Sequence, residues 1–244
     1  MEKFLKTILI FFVLCLMLFG AYLAKDFFKT HQETGEINVI EPPNIKKEIY
    51  LPQPRYESEV SLEEAILRRR SRRKYKKEPL SLFEVSQLLW SAQGITDKKR
   101  NFRTAPSAGA LYPLEVYLVV GAVENLLPGV YKYYPKEHKI VRVKEEDLRK
   151  ELREASFGQK WVEDGAVSLV FAGVFERTTK KYGKKGVLYV YMEAGHASQN
   201  VYLQAEALGL GTVTVGGFLE ERVKEILSLP ENETPLYIMP VGKL

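Results

Sequence analysis

Arg69, Arg70, Ser71 and Arg73 crowd into five consecutive positions, with Tyr75 just beyond them. Guanidinium forks and a hydroxyl match the oxygens of a phosphate monoester, because each arginine can donate two parallel hydrogen bonds. The same residues also read as a solvated basic face, or as a patch for nucleic acid or anionic lipid. A second group is the run Arg103-Thr-Ala-Pro106-Ser107-Ala108-Gly109-Ala-Leu-Tyr112-Pro113. Small residues between two prolines let a planar ligand come close to backbone amides, although an ordinary turn before a strand has the same composition. The third group, Thr212-Val-Thr214-Val215-Gly216-Gly217-Phe218, ends in two glycines. It can offer backbone N–H groups to a ring nitrogen or carbonyl, or simply turn the chain.

Other chemistries lack residues. Cys15 is the one cysteine and lies in an apolar run, which removes disulfides and a thiol nucleophile from the folded part. The three histidines, His31, His138 and His196, are not spaced as metal ligands, so no metal site is expected. His196 and Glu193 fall on a strongly periodic helix and read as structural residues.

The elements that must position these groups follow from capping signals and periodicity. Ser61 with Glu64, and Ser81 with Glu84, have the S-x-x-E spacing of helix starts, so two short helices flank the basic segment. Glu115–Val120, Val130–Tyr134, Ile140–Val143, Ala166–Phe175, Thr212–Val215 and Leu236–Val241 read as strands. Glu145–Glu154, Gly186–Leu208 and Glu220–Leu229 read as helices, the second closed by Gly209. Strands and helices mix without βαβ alternation, which predicts an α+β domain over residues 59–244.

The chain has 244 residues, 45% hydrophobic and 27% charged, with a net charge of +5. That excludes a disordered tail and a multi-span membrane protein. Eight of the ten residues from Arg68 to Lys77 are basic, so the rest of the chain is net acidic and the basicity is a local feature. From Thr7 to Ala24 there are 18 uncharged residues, about 27 Å of helix and close to the thickness of a bilayer's hydrocarbon. Residues 1–24 therefore read as one uncleaved transmembrane anchor, since Phe19 and Tyr22 spoil the small-residue cleavage positions. Residues 25–58, with Pro42, Pro43, Pro52 and Pro54, read as a tether. The positive-inside bias is small and slightly favours an extracytoplasmic domain.

In order, R-R-S-x-R-x-Y, P-S-A-G-A-L-Y-P-L-E-V-Y, E-A-G-H-A-S-Q-N-x-x-L-Q-A-x-A-L-G-L-G-T, G-G-F and P-x-G-K make a pattern that resembles the nitroreductase family of FMN-dependent oxidoreductases. It is most similar to the SagB-type dehydrogenase branch, which includes azoline oxidases of ribosomal-peptide biosynthesis. The resemblance covers residues 60–244 and implies an FMN-binding fold with a central mixed or antiparallel sheet flanked by helices. It implies that Arg69, Arg70, Ser71 and Arg73 grip the phosphate and ribityl chain. Pro106, Ser107, Ala108 and Gly109 would lie against the isoalloxazine, often that of the other subunit. Thr214, Val215, Gly216 and Gly217 would meet the ring near N5. Lys243 stands near the family's late basic residue, although the chain ends one residue later. Lys181 and Tyr182 match the Lys-Tyr pair of the azoline oxidases, where the lysine would take a proton as hydride leaves. Lys180, Lys184 and Lys185 around them equally suit a solvated basic loop.

The expectation is thus a membrane-tethered FMN oxidoreductase, a homodimer with flavin at its interface, acting on a small or peptide-derived substrate. The competing reading is a non-catalytic membrane-anchored module that uses Arg68–Lys77 on nucleic acid or anionic lipid. Only Tyr75 interleaves with the basic residues, and the tether separates them from the anchor, so no nucleic-acid partner is expected.

Overall fold

The structure, a computed structural model, describes residues 48–244. The anchor and most of the tether expected from the sequence lie outside the described residues. Among the described residues, no helix is long and apolar enough to cross a membrane.

Seven strands form the main sheet: β1 (Glu48–Tyr50), β4 (Leu114–Val120), β5 (Gly129–Tyr134), β6 (Lys139–Lys144), β7 (Val167–Gly173), β8 (Leu210–Thr212) and β9 (Thr234–Lys243). Their order is β1-β6-β5-β4-β7-β9-β8, and every neighbouring pair of strands is antiparallel. A separate ribbon pairs β2 (Ile95–Asp97) with β3 (Phe102–Arg103).

Strand periodicity sorts the core into two. Val116, Leu118 and Val120 of β4 face one way, with Leu169 and Phe171 of β7. They pack on Val85, Leu88 and Leu89 of α2 (Leu82–Gln93) and on Val190, Ala194, Ala197 and Val201 of α6 (Lys185–Ala207). Tyr117 and Val119 point the other way, with Val170 and Ile238. Their partners include Leu152, Val162, Val223 and Leu227, from α3 (Arg149–Ala155), α4 (Lys160–Asp164) and α7 (Glu220–Leu227). Alternation with a period of two thus gives three layers, helices on both faces of the sheet.

Ser81 and Glu84 close a full capping box at the start of α2. At α1 (Leu62–Arg68) only half of it forms: Ser61 Oγ accepts from the Glu64 amide, while the Glu64 carboxylate pairs with Arg68 one turn on.

Four expectations change. The strand read at Thr212–Val215 is β8, which ends at Thr212, and Val215 forms only an isolated bridge to Ile238. The tether does not run to residue 58: β1 pairs with β6, Leu51 is buried, and the Arg55 amide donates to Gln87 Oε1 at 2.9 Å. Its prolines hide a strand too short to show a period. Lys180, Lys181 and Tyr182 are not in a loop but end α5 (Glu176–Tyr182), whose helical spacing buries Thr178. Phe175, its N-cap, packs on Tyr191 of α6 at 5.5 Å between ring centroids, and this tertiary support outweighs the weak apolar pattern. Finally, α3 starts at Arg149 rather than Glu145, which lies beyond the end of β6.

Candidate active site

The basic segment runs along the sheet's β8 edge. The Arg72 amide donates to Thr212 O at 2.8 Å and the Lys76 amide to Lys243 O at 3.0 Å. The chain fits so closely because Gly211 and Gly242 leave room for the Tyr75 ring: a Cβ on Gly242 would lie 2.7 Å from Tyr75 Cβ. Glycine at these strand positions marks the close approach of a neighbouring segment.

Tyr202 of α6 joins the first and third groups. Its hydroxyl accepts the Thr214 amide at 2.7 Å and lies 3.2 Å from Ser71 Oγ, and the Arg69 guanidinium sits 5.2 Å from its ring centroid. Arg73 lies over the Trp161 ring at 5.3 Å. Among the described residues neither Arg69 nor Arg73 has a carboxylate partner. Thr212 Oγ1 and Thr214 Oγ1 are buried there without a hydrogen-bond partner. Guanidiniums without a carboxylate partner and hydroxyls without a hydrogen-bond partner suit a ligand with a phosphate and a polyol chain, and FMN is such a ligand. Arg70 does not join them: its guanidinium turns back onto the carbonyls of Leu67 and Arg69.

The two glycines of the third group are presented by bonds on either side. Val215 exchanges two backbone bonds with Ile238, at 2.8 and 3.0 Å, and Gln159 Nε2 donates to Gly217 O at 3.0 Å. Gly216 and Gly217 are exposed between these ties.

The second group meets the Lys-Tyr pair. Gly109 has φ +65°, and a Cβ there would stand 2.7 Å from the Tyr182 hydroxyl and 2.9 Å from Lys181 Nζ. The positive φ favours glycine at this position, and any side chain there would have to push the ends of Lys181 and Tyr182 aside. Ser107 and Ala108 are half-buried, Pro106 and Gly109 exposed. Ser107 Oγ accepts the Tyr112 amide at 2.9 Å, and Arg177 of α5 donates to Tyr112 O at 3.0 Å. Lys181 is exposed, with Nζ 5.4 Å from the Tyr182 ring centroid, and that ring meets Tyr189 edge-on at 5.2 Å.

One helix is therefore the common wall. Tyr189 of α6 braces Tyr182, Asn200 Nδ2 donates to Thr104 O at 3.3 Å, and Tyr202 holds Thr214 and Ser71. Tyr202 and Arg103 are structural members of the site that the sequence reading did not single out. Their one signal was an aromatic on a helix face and an arginine opening the small-residue run. Lys243 is placed differently from the expectation: its ammonium is taken by the Glu84 carboxylate of the α2 capping box. Burial would raise the Glu84 pKa, but the bonds from Lys243 and Ser81 outweigh it and hold the carboxyl below its usual range. Lys243 thus ties the last strand to α2. A separate cavity of about 350 Å³, lined by Tyr56, Trp90 and Asn200 among others, contains none of the expected site residues.

Residues 66–243 match the model of the Nitroreductase family. The protein MJ1384 of Methanocaldococcus jannaschii, named as a nitroreductase, is 47% identical over 196 residues, 80% of this chain and 96% of that protein. The microcin B17-processing protein McbC of Escherichia coli is 30% identical over 172 residues, 68% of this chain and 63% of that protein. Among solved structures, a protein of Ralstonia eutropha JMP134 described as a nitroreductase superposes with a TM-score of 0.73 at 28% identity. That match covers 83% of this chain and 91% of the other.

Proposed function

Because the chain belongs to the nitroreductase family and is an FMN-dependent oxidoreductase, we propose that it acts as a SagB-type dehydrogenase, removing hydride from a small or peptide-derived substrate at flavin N5. FMN, when bound, supplies the hydride chemistry. The observation that carries the finer reading is the meeting of Lys181 Nζ and the Tyr182 hydroxyl over Gly109. It puts an amine and a phenol at the loop the family lays against the isoalloxazine. Arg69, Ser71 and Arg73 bind the phosphate end, and Gly216 and Gly217, whose amides are not spent on Tyr202 or Ile238 as those of Thr214 and Val215 are, offer backbone donors to the ring. Lys181 takes the substrate's proton at Nζ, and the Tyr182 hydroxyl orients that side chain. The similarity to a microcin-processing protein supports a peptide-derived substrate, with an azoline ring as the group to be oxidised. The test is anaerobic mixing with azoline-bearing peptides: substrate should bleach the bound flavin. Bleaching by a nicotinamide donor but by no azoline would make the protein a plain flavin reductase.

The same reading makes the protein a homodimer. Val187, Leu188, Tyr191 and Met192 are between 40% and 53% exposed on α6, and Leu62, Ile66 and Leu67 are still more exposed on α1. Apolar side chains at this density on packed helices suit burial against a second copy. Light scattering of the purified chain should give twice the chain mass, and Leu188→Glu should shift it toward monomer with weaker flavin retention. A wild-type monomer that holds FMN tightly would contradict this part. The proposal keeps residues 7–24 as the membrane anchor and leaves the basic segment to the cofactor, since Arg69 and Arg73 lie over site aromatics.

A further inference from the structure

One buried carboxyl is not used by this mechanism. Glu193, in the middle of α6, is 2% exposed, and its Oε1 has no hydrogen-bond partner. The groups that act on it are Gln93 at the end of α2, Arg103 of β3, Ser107 of the second group and Arg177 of α5. These groups also hold the loop together. Arg103 Nη1 donates to Gln93 Oε1 at 2.9 Å, and its guanidinium lies 4.7 Å from the Tyr112 ring centroid. The Arg103 amide donates to the Tyr112 hydroxyl at 3.2 Å, while Tyr112 gives its own amide hydrogen to Ser107 Oγ. Arg177 is shared with Glu115, so its charge is partly spent elsewhere. Gln93 Nε2, like Glu193 Oε1, is buried without a partner. A carboxyl and a carboxamide, both incompletely satisfied, thus underlie the Pro106–Gly109 loop.

The hydroxyl of Ser107 has one hydrogen to give. With its oxygen accepting from Tyr112, that hydrogen can go inward to Glu193 or outward to a ligand. An ionised Glu193 draws it inward, whereas a protonated Glu193 has less need of it. Burial raises the Glu193 pKa, and Ser107, Arg103, Gln93 and Arg177 lower it; the balance stands at about 7. Both forms are therefore populated at neutral pH.

We propose that Glu193 is a positioning residue that directs the Ser107 hydroxyl, releasing it to a flavin held against the loop when Glu193 is protonated and withdrawing it when Glu193 is ionised. This rests on the flavin reading above, and holds whether the flavin belongs to the same chain or to its neighbour. The sign of the linkage follows. A ligand that prefers protonated Glu193 takes up a proton on binding, and its affinity falls as pH rises through about 7.

The test is calorimetric titration of the flavin-stripped full chain with riboflavin, which has no phosphate to titrate. It is run from about pH 6 to 8 in two buffers of different ionisation heat. Wild type should take up a fraction of a proton on binding and lose affinity by roughly five- to tenfold across the range. Glu193→Gln should bind with no such uptake and a flat pH profile. Ser107→Ala, a change in a half-exposed loop that leaves α6 intact, should be flat at the weaker, high-pH affinity. Riboflavin binding whose slope and proton uptake persist in both variants would overturn the proposal alone. No flavin binding at any pH would overturn the family's cofactor here and the proposal with it.

Discussion

Lys181→Ala should slow oxidation of an azoline-type substrate by about 10²–10⁴, the usual cost of losing a positioned general base. The flavin and the fold should stay. Lys181 is exposed at the last turn of α5 and makes no ion pair among the described residues, so the fold does not depend on its side chain. Flavin reduction by a nicotinamide donor needs no base for a substrate C–H and should be nearly unchanged. Tyr182→Phe keeps the edge-on contact with Tyr189 and removes only the hydroxyl near Gly109, so it should cost less. Stopped-flow measurement of the two half-reactions separates the cases. Equal losses in both would mean a disturbed flavin pocket, and no loss in either would remove Lys181 from the chemistry.

The second large effect is on binding. On the proposed reading, Arg69→Ala combined with Arg73→Ala removes two charge-assisted contacts to the phosphate, each worth about 1.5–3 kcal/mol. Together that is about 3–6 kcal/mol, or roughly 10²–10⁴ in FMN affinity. The stacking of these arginines over Tyr202 and Trp161 contributes much less, about 0.5–1 kcal/mol each, so thermal stability without flavin should change little. Arg70→Ala is the internal control: its guanidinium already bonds to Leu67 and Arg69 carbonyls, and its loss should barely move FMN affinity. Riboflavin affinity should be spared in the double variant. Equilibrium dialysis with both ligands measures this, and unchanged FMN retention would show that the basic segment serves something else.

The sequence shows most clearly what is local. The Ser81–Glu84 box, the apolar run of the buried strand β4 and the long period of α6 each depend on neighbours a few residues apart, and each appears where expected. The strand β1 does not, because three residues beside prolines carry no measurable period and the strand exists only by pairing with β6, some ninety residues on. Helix α5 is similar: a lysine-rich stretch becomes helical because Phe175 and Thr178 pack, which no local pattern records. In the site, the three groups are visible as words, but the residue that joins two of them, Tyr202, is one aromatic on a long helix. Glu193 reads as structural for the same reason. Its neighbours Gln93, Arg103, Ser107 and Arg177 come from four separate stretches of chain, and only folding brings them to one carboxyl.

The account stands on the cofactor, and the flavin content of the full-length chain tests it most directly. Purified in detergent and then denatured, the protein should release FMN at close to one per chain, and the yellow protein should lose its colour as it does so. A colourless protein that takes up no FMN on reconstitution, although folded by circular dichroism, would contradict it.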